Sequence, residues 1–134
     1  MNETTTIRTT DVELDEAVRQ LLETTEERVT IVHCRLLMPE PGYYRIWPQT
    51  CLVEDGGGRR SLLQALGVVL APAWMPCFAF RTYVRFTLVF EGLGKDCRSF
   101  HLDEDIPESL GFYTDPVPRN ETDVYNVLLK EKAY

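Results

Sequence analysis

From Phe78 to Glu91 the chain alternates. Val84, Phe86, Leu88 and Phe90 share one parity, and Arg85, Thr87 and Val89 the other. That period of two predicts a β-strand with one face in a core. Arg28 to Met38 is rich in β-branched residues and predicts a second strand, with Val32, Cys34 and Leu36 on one face. Shorter extended segments are predicted at Tyr43 to Trp47, Thr50 to Val53, Arg59 to Leu66 and Val68 to Leu70. Arg98 to Leu102 follows with Phe100 and Leu102 inward. In Asp123 to Lys130 either Val124 and Leu128 or Tyr125 and Val127 face in. Turn chemistry separates these runs at Pro39 to Gly42, Glu54 to Gly58 and Gly92 to Asp96. A loop with proline and tryptophan spans Ala71 to Cys77, and a long acidic connection carries Pro107, Gly111, Pro116 and Pro118.

The beginning of the chain reads less sharply. Residues 1–10 are Thr-rich and polar, and predict a flexible terminus or an edge strand. Between Asp11 and Arg28, the spacing of Val12, Leu14, Val18, Leu21 and Leu22 fits a helical stripe, while Val18 to Glu23 also suits one arm of a hairpin. Strands at short spacing with turns between them, and no alternation with long helices, predict an all-β sandwich of seven or eight strands. At 134 residues the chain makes one domain, expected over residues 11–134.

The order of several motifs is informative. Arg45-Ile46-Trp47-Pro48-Gln49-Thr50-Cys51-Leu52 precedes the Asp55-Gly56-Gly57-Gly58 reversal and Gly67-Val68-Val69-Leu70. Then come Phe86-Thr87-Leu88-Val89-Phe90-Glu91-Gly92-Leu93, Lys95-Asp96 and Ser99-Phe100-His101-Leu102-Asp103-Glu104. From about Val18 to Asp105 this resembles a family of immunoglobulin-like β-sandwich modules of bacterial envelope-associated proteins, some of which precede a thioredoxin-like or hydrolase domain. The resemblance implies a two-sheet antiparallel sandwich and makes Val18 to Glu23 and Arg28 to Met38 a hairpin. Its signature positions are core and turn positions, so it implies no catalytic residue. Cys51 stands where an aromatic residue is usual in those modules, and Gly94 where proline is common. No second, catalytic domain is visible behind it.

Charge narrows the function. With 21 acids against 14 bases the net charge is -7, which argues against a nucleic-acid face, since that affinity comes from clustered Lys and Arg. No apolar run is long enough to span a bilayer, and Leu66 to Phe80 is broken by Gly67, Pro72 and Pro76; direct membrane insertion is not expected. No leader is visible at Met1-Asn2-Glu3-Thr4-Thr5-Thr6, which fits a cytoplasmic protein, or a periplasmic or extracellular one whose leader was removed. Cys34, Cys51, Cys77 and Cys97 lack the close pairs of a zinc site, and a domain of this size needs no cross-links, so free thiols are expected.

Three kinds of site are conceivable. His101, Asp103 and Asp105 alternate, so an extended strand projects all three from one face, as a divalent-ion site requires; a solvated strand end gives the same pattern. A Cys–His pair would have to form across strands, from Cys51 or Cys97, because His33 and its neighbour Cys34 point to opposite faces. Tyr43, Tyr44, Trp47, Trp74, Phe112 and Tyr113 fall at turns or strand ends, where aromatic side chains either build a recognition surface or cap the core. Asn2-Glu3-Thr4 and Asn120-Glu121-Thr122 match the glycosylation acceptor pattern, which occurs often by chance.

Taken together, the sequence predicts a non-enzymatic binding, assembly or accessory module without a cofactor. It would work through an exposed sheet face, an edge strand or end loops, on a protein partner or a second copy of itself. The competing expectation is a small metal-binding protein or hydrolase using His101, Asp103 and Asp105.

Overall fold

A computed structural model describes residues 28–107 and 111–132. The helix-or-strand question at residues 11–23, the polar start at residues 1–10 and the Asn2 acceptor lie outside the described residues. Ten strands follow in order: β1 (Val29–Met38), β2 (Gly42–Tyr44), β3 (Cys51–Glu54), β4 (Arg59–Leu66) and β5 (Met75–Cys77). The others are β6 (Thr82–Glu91), β7 (Ser99–Asp103), β8 (Phe112–Tyr113), β9 (Val117–Pro118) and β10 (Val124–Glu131). Among the described residues there is no helix, so the all-β reading holds.

The expected two-layer sandwich does not form. The strands run in the order β3-β4-β6-β1-β10-β8-β7, and β7 then pairs with β3, which closes the sheet into a seven-stranded barrel. The closing contact is antiparallel, from Cys51 opposite Asp103 to Glu54 opposite Phe100. An extra strand, β9, lies on the other edge of β7 below β8, through Ser99 opposite Pro118 and Phe100 opposite Val117. β1 and β10 pair in parallel, Ile31 with Val124 through Leu36 with Leu129, and the other pairings between the described strands are antiparallel. Alternation assigns a side chain to a face but names no partner strand, so one curved layer and two flat ones share a pattern.

The faces themselves follow the sequence. Val32, Cys34 and Leu36 of β1, Phe86, Leu88 and Phe90 of β6, and Phe100 and Leu102 of β7 fill the interior. In β10 the second alternative holds: Tyr125, Val127 and Leu129 are buried, and Val124 and Leu128 are exposed. Rings pack at two levels, with Tyr44 stacked on Phe86 at 6.1 Å and Phe100 edge-on to Tyr125 at 4.8 Å. The β3–β4 hairpin turns at Gly57, whose φ of 98° favours a residue without a side chain. Register slips between Leu62 and Gln64 against β6, a bulge that leaves Leu63 exposed and bends β4 around the barrel.

Three of the short strands were not foreseen. β5 lies inside the predicted loop Ala71 to Cys77, and β8 and β9 inside the predicted acidic connection; two or three residues are too few to show a period. β2 and β5 form a separate two-stranded sheet, Tyr43 opposite Pro76 and Tyr44 opposite Met75. A bridge from Ile46 to Leu70 extends it. At the other end of the barrel, Arg119 grips Asp123 with two hydrogen bonds of 3.1 and 3.0 Å. The Tyr125 hydroxyl donates to the same carboxylate at 2.8 Å. The Asn120 amide donates to the Val124 carbonyl, and its oxygen accepts from the Asp123 backbone N–H, so the asparagine of the acceptor pattern is part of this turn.

Deleting the ring of Phe90, which is fully buried, should cost about 3–5 kcal/mol on Phe90→Ala by urea unfolding. Leu63→Ala, at the exposed bulge, should stay within about 0.5 kcal/mol. Equal losses at the two positions would contradict this division between interior and wall.

Candidate functional site

β1 and β10 end together at one rim of the barrel, and the β2–β5 sheet stands beside that rim. Between them lies a cleft of about 330 Å³. Five of the six aromatic residues singled out from the sequence line it: Tyr43, Tyr44, Trp47, Trp74 and Phe112. Tyr113 does not, because it follows Phe112 on β8 and takes the opposite face. Tyr44 and Phe112 are buried and form the inner wall, whereas Tyr43 and Trp74 are 67% and 54% exposed and form the lip. Their rings meet edge to face at 6.5 Å.

Arg45 holds the lip together. Its guanidinium carbon lies 3.7 Å from the Trp74 ring centroid and 4.9 Å from that of Trp47, and Nη1 donates to the Pro72 carbonyl at 3.1 Å. A planar cation between two indoles fixes both rings without covering their outer faces. The residue belonged to a motif noted in the sequence, but nothing in its spacing marked it as a clamp.

Glu104 closes the floor. It is 2% exposed, and its Oε2 accepts from the Trp47 backbone N–H and the Thr50 hydroxyl, each at 2.9 Å. Its Oε1 accepts from the Phe112 backbone N–H at 3.2 Å. One carboxylate thus ties the segment carrying Trp47 to the strand carrying Phe112. The signal for it was present: the parity that turns Phe100 and Leu102 inward turns Glu104 inward as well. Burial pushes its pKa up, against the pull of its three donors and of nearby Lys132.

The same parity sends His101, Asp103 and Asp105 outward. Asp103 pairs with Lys132 at 2.9 Å, and Asp105 is exposed. Among the described residues no group of three His, Cys, Asp or Glu side chains is placed to hold a metal ion. The four cysteines are free and buried. Cys34 sits inside the barrel, its thiol pushed up to about 12 by burial, while His33 points out and shares a 2.8 Å hydrogen bond with Thr87. In register, His101 faces Val53 and Cys51 faces Asp103, so strand pairing brings no histidine opposite Cys51. Burial also raises the Cys97 thiol. A thiol held protonated is a poor nucleophile.

A larger hollow of about 720 Å³ lies at the opposite end, lined by Arg28, Arg60, Arg119 and Asp123 among others. Its charges already serve the fold: Arg60 pairs with Glu54 at 2.8 Å and Arg119 with Asp123. The aromatic cleft is the better candidate, because two large rings there remain open to solvent. No protein-family model, curated protein or solved structure matches the chain.

Glu104→Gln should destabilise the protein by about 1–3 kcal/mol at neutral pH, since an amide offers one acceptor oxygen where donors approach both. The pH dependence has a definite sign. Only the folded state bears the cost of burying the Glu104 charge, which is why its pKa is raised there. As pH falls through its raised folded pKa toward the ordinary 4.5, the folded state takes the proton first and this group's contribution rises. The wild-type advantage over Glu104→Gln should therefore widen between pH 7 and pH 5 in urea unfolding. A gap that narrows would contradict the assignment.

Proposed function

We propose that the protein is a non-catalytic binding module that takes an extended segment of a protein partner into the aromatic cleft. The observation that carries this reading is the gathering of Tyr43, Tyr44, Trp47, Trp74 and Phe112 from three separate stretches of chain onto one concave surface. Exposed rings held in place beforehand bury large area at little cost in side-chain freedom, which is how peptide-binding grooves gain affinity. End loops, not an edge strand, do the work here. Barrel closure uses up the long edges, and the extra strand β9 is only two residues long.

The metal-binding or hydrolytic reading has less support. Its three residues line the outer side of β7 and the chain just past it, apart from the cleft, and one of them is engaged by Lys132.

Panning a random peptide library on wild type and on Trp74→Ala tests the proposal. Trp74 is 54% exposed, so the variant should fold. Peptides enriched on wild type should bind Trp74→Ala at least about tenfold more weakly, a loss of about 1.4 kcal/mol, and should bind Leu63→Ala unchanged. Peptides indifferent to Trp74, or no enrichment at all, would overturn the peptide-binding role.

A further inference from the structure

The outer wall of the barrel carries a second feature, separate from the cleft. On β10, β1 and β6 the outward side chains form rows fixed by register. One row is Asn126, His33 and Thr87; the next is Leu128, Arg35 and Arg85. Arg35 and Arg85 are thus directly opposed across an antiparallel pair, where like charges repel at side-chain separations of about 5 Å. In a chain of net charge -7, an acid at one of these positions would have been the ordinary solution.

None is present. Among the described residues, the outward positions from His33 to Leu37, Tyr83 to Val89 and Asn126 to Lys130 hold no carboxylate. Asp115 reaches this wall from outside those strands and is taken up by Lys130 at 2.7 Å. The guanidinium carbon of Arg35 lies 5.7 Å from the Tyr83 ring centroid. A shallow depression of about 480 Å³ runs across the two rows and is lined by His33, Arg35, Arg85, Thr87 and Asn126.

We propose that this depression binds a phosphate group. Arg35 and Arg85 stand opposite each other across the β1–β6 pair and both line the depression, and each guanidinium carries paired N–H donors that match the oxygens of a tetrahedral oxyanion. The Asn126 amide supplies a neutral donor one row away, and an anion seated between the two arginines turns their repulsion into attraction. The phosphate arrives either on a small molecule in solution or on a lipid headgroup; exposed Leu37 and Tyr83 in the following row suit the second source.

The test is thermal melting of wild type, Arg85→Gln and Arg85→Lys while inorganic phosphate replaces chloride at constant ionic strength. Wild type should gain about 4–7 °C at phosphate tenfold above its Kd. Arg85→Gln should show no gain, and in chloride alone should melt at or above wild type, because the opposed charge is gone. Arg85→Lys should recover part of the response. Co-sedimentation with vesicles of phosphatidylcholine, with and without phosphatidylglycerol, separates the sources. Binding to the anionic vesicles only, lost in Arg85→Gln, supports the site with lipid phosphate as its source. A phosphate response without vesicle binding supports it with a soluble ligand. Equal phosphate responses in wild type and Arg85→Gln, a lower melting point for Arg85→Gln in chloride, or no response to phosphate or vesicles would each overturn the proposal.

Discussion

The hydrogen bonds between β3 and β7 convert a strip of sheet into a cylinder, and the other features rest on that closure. With the strip closed, every inward side chain faces one shared interior, so Phe86, Phe90, Phe100 and Tyr125 from three strands pack as a single core. With it open, the same residues would need a second sheet to cover them. Closure also gives the barrel two ends with different tasks. At one, Arg119, Asp123 and Tyr125 lock a turn; at the other, chain leaving the barrel builds the aromatic cleft.

Much of the wall was legible in the sequence. The parity of β6, β1 and β7 placed the barrel-interior residues correctly, although Val89, on the outward parity, is buried as well, and the glycine reversal placed the β3–β4 hairpin. Pairing was not legible, because alternation is a property of one strand and closure a property of all of them. The resemblance to immunoglobulin-like modules rested on core and turn positions, which a barrel and a sandwich use alike. β5, β8 and β9 escaped notice because each is held by its neighbours and not by its own composition.

The site divides in the same way. The aromatic residues stood out individually by type and by position near turns, and five of the six meet in space. Their meeting depends on β2 pairing with β5 and on Glu104 bridging Trp47 to Phe112, contacts spanning many residues that no local pattern encodes. Glu104 itself followed the inward parity of β7, yet an acid beyond a strand end reads first as solvated charge. Arg35 and Arg85 were equally visible as outward residues. Only the pairing of β1 with β6 set them opposite each other.

The parallel pairing of β1 with β10 has a consequence for how the chain is made. These two strands are neighbours in the barrel but stand near opposite limits of the described sequence. As the polypeptide emerges from the ribosome, β1 can zip to β6 well before β10 exists, and among the described strands its other edge then has no partner until β10 arrives. A nascent intermediate of this kind is sticky along a strand rich in Val, Leu and Ile. Its safe passage depends on how quickly synthesis delivers the final strand.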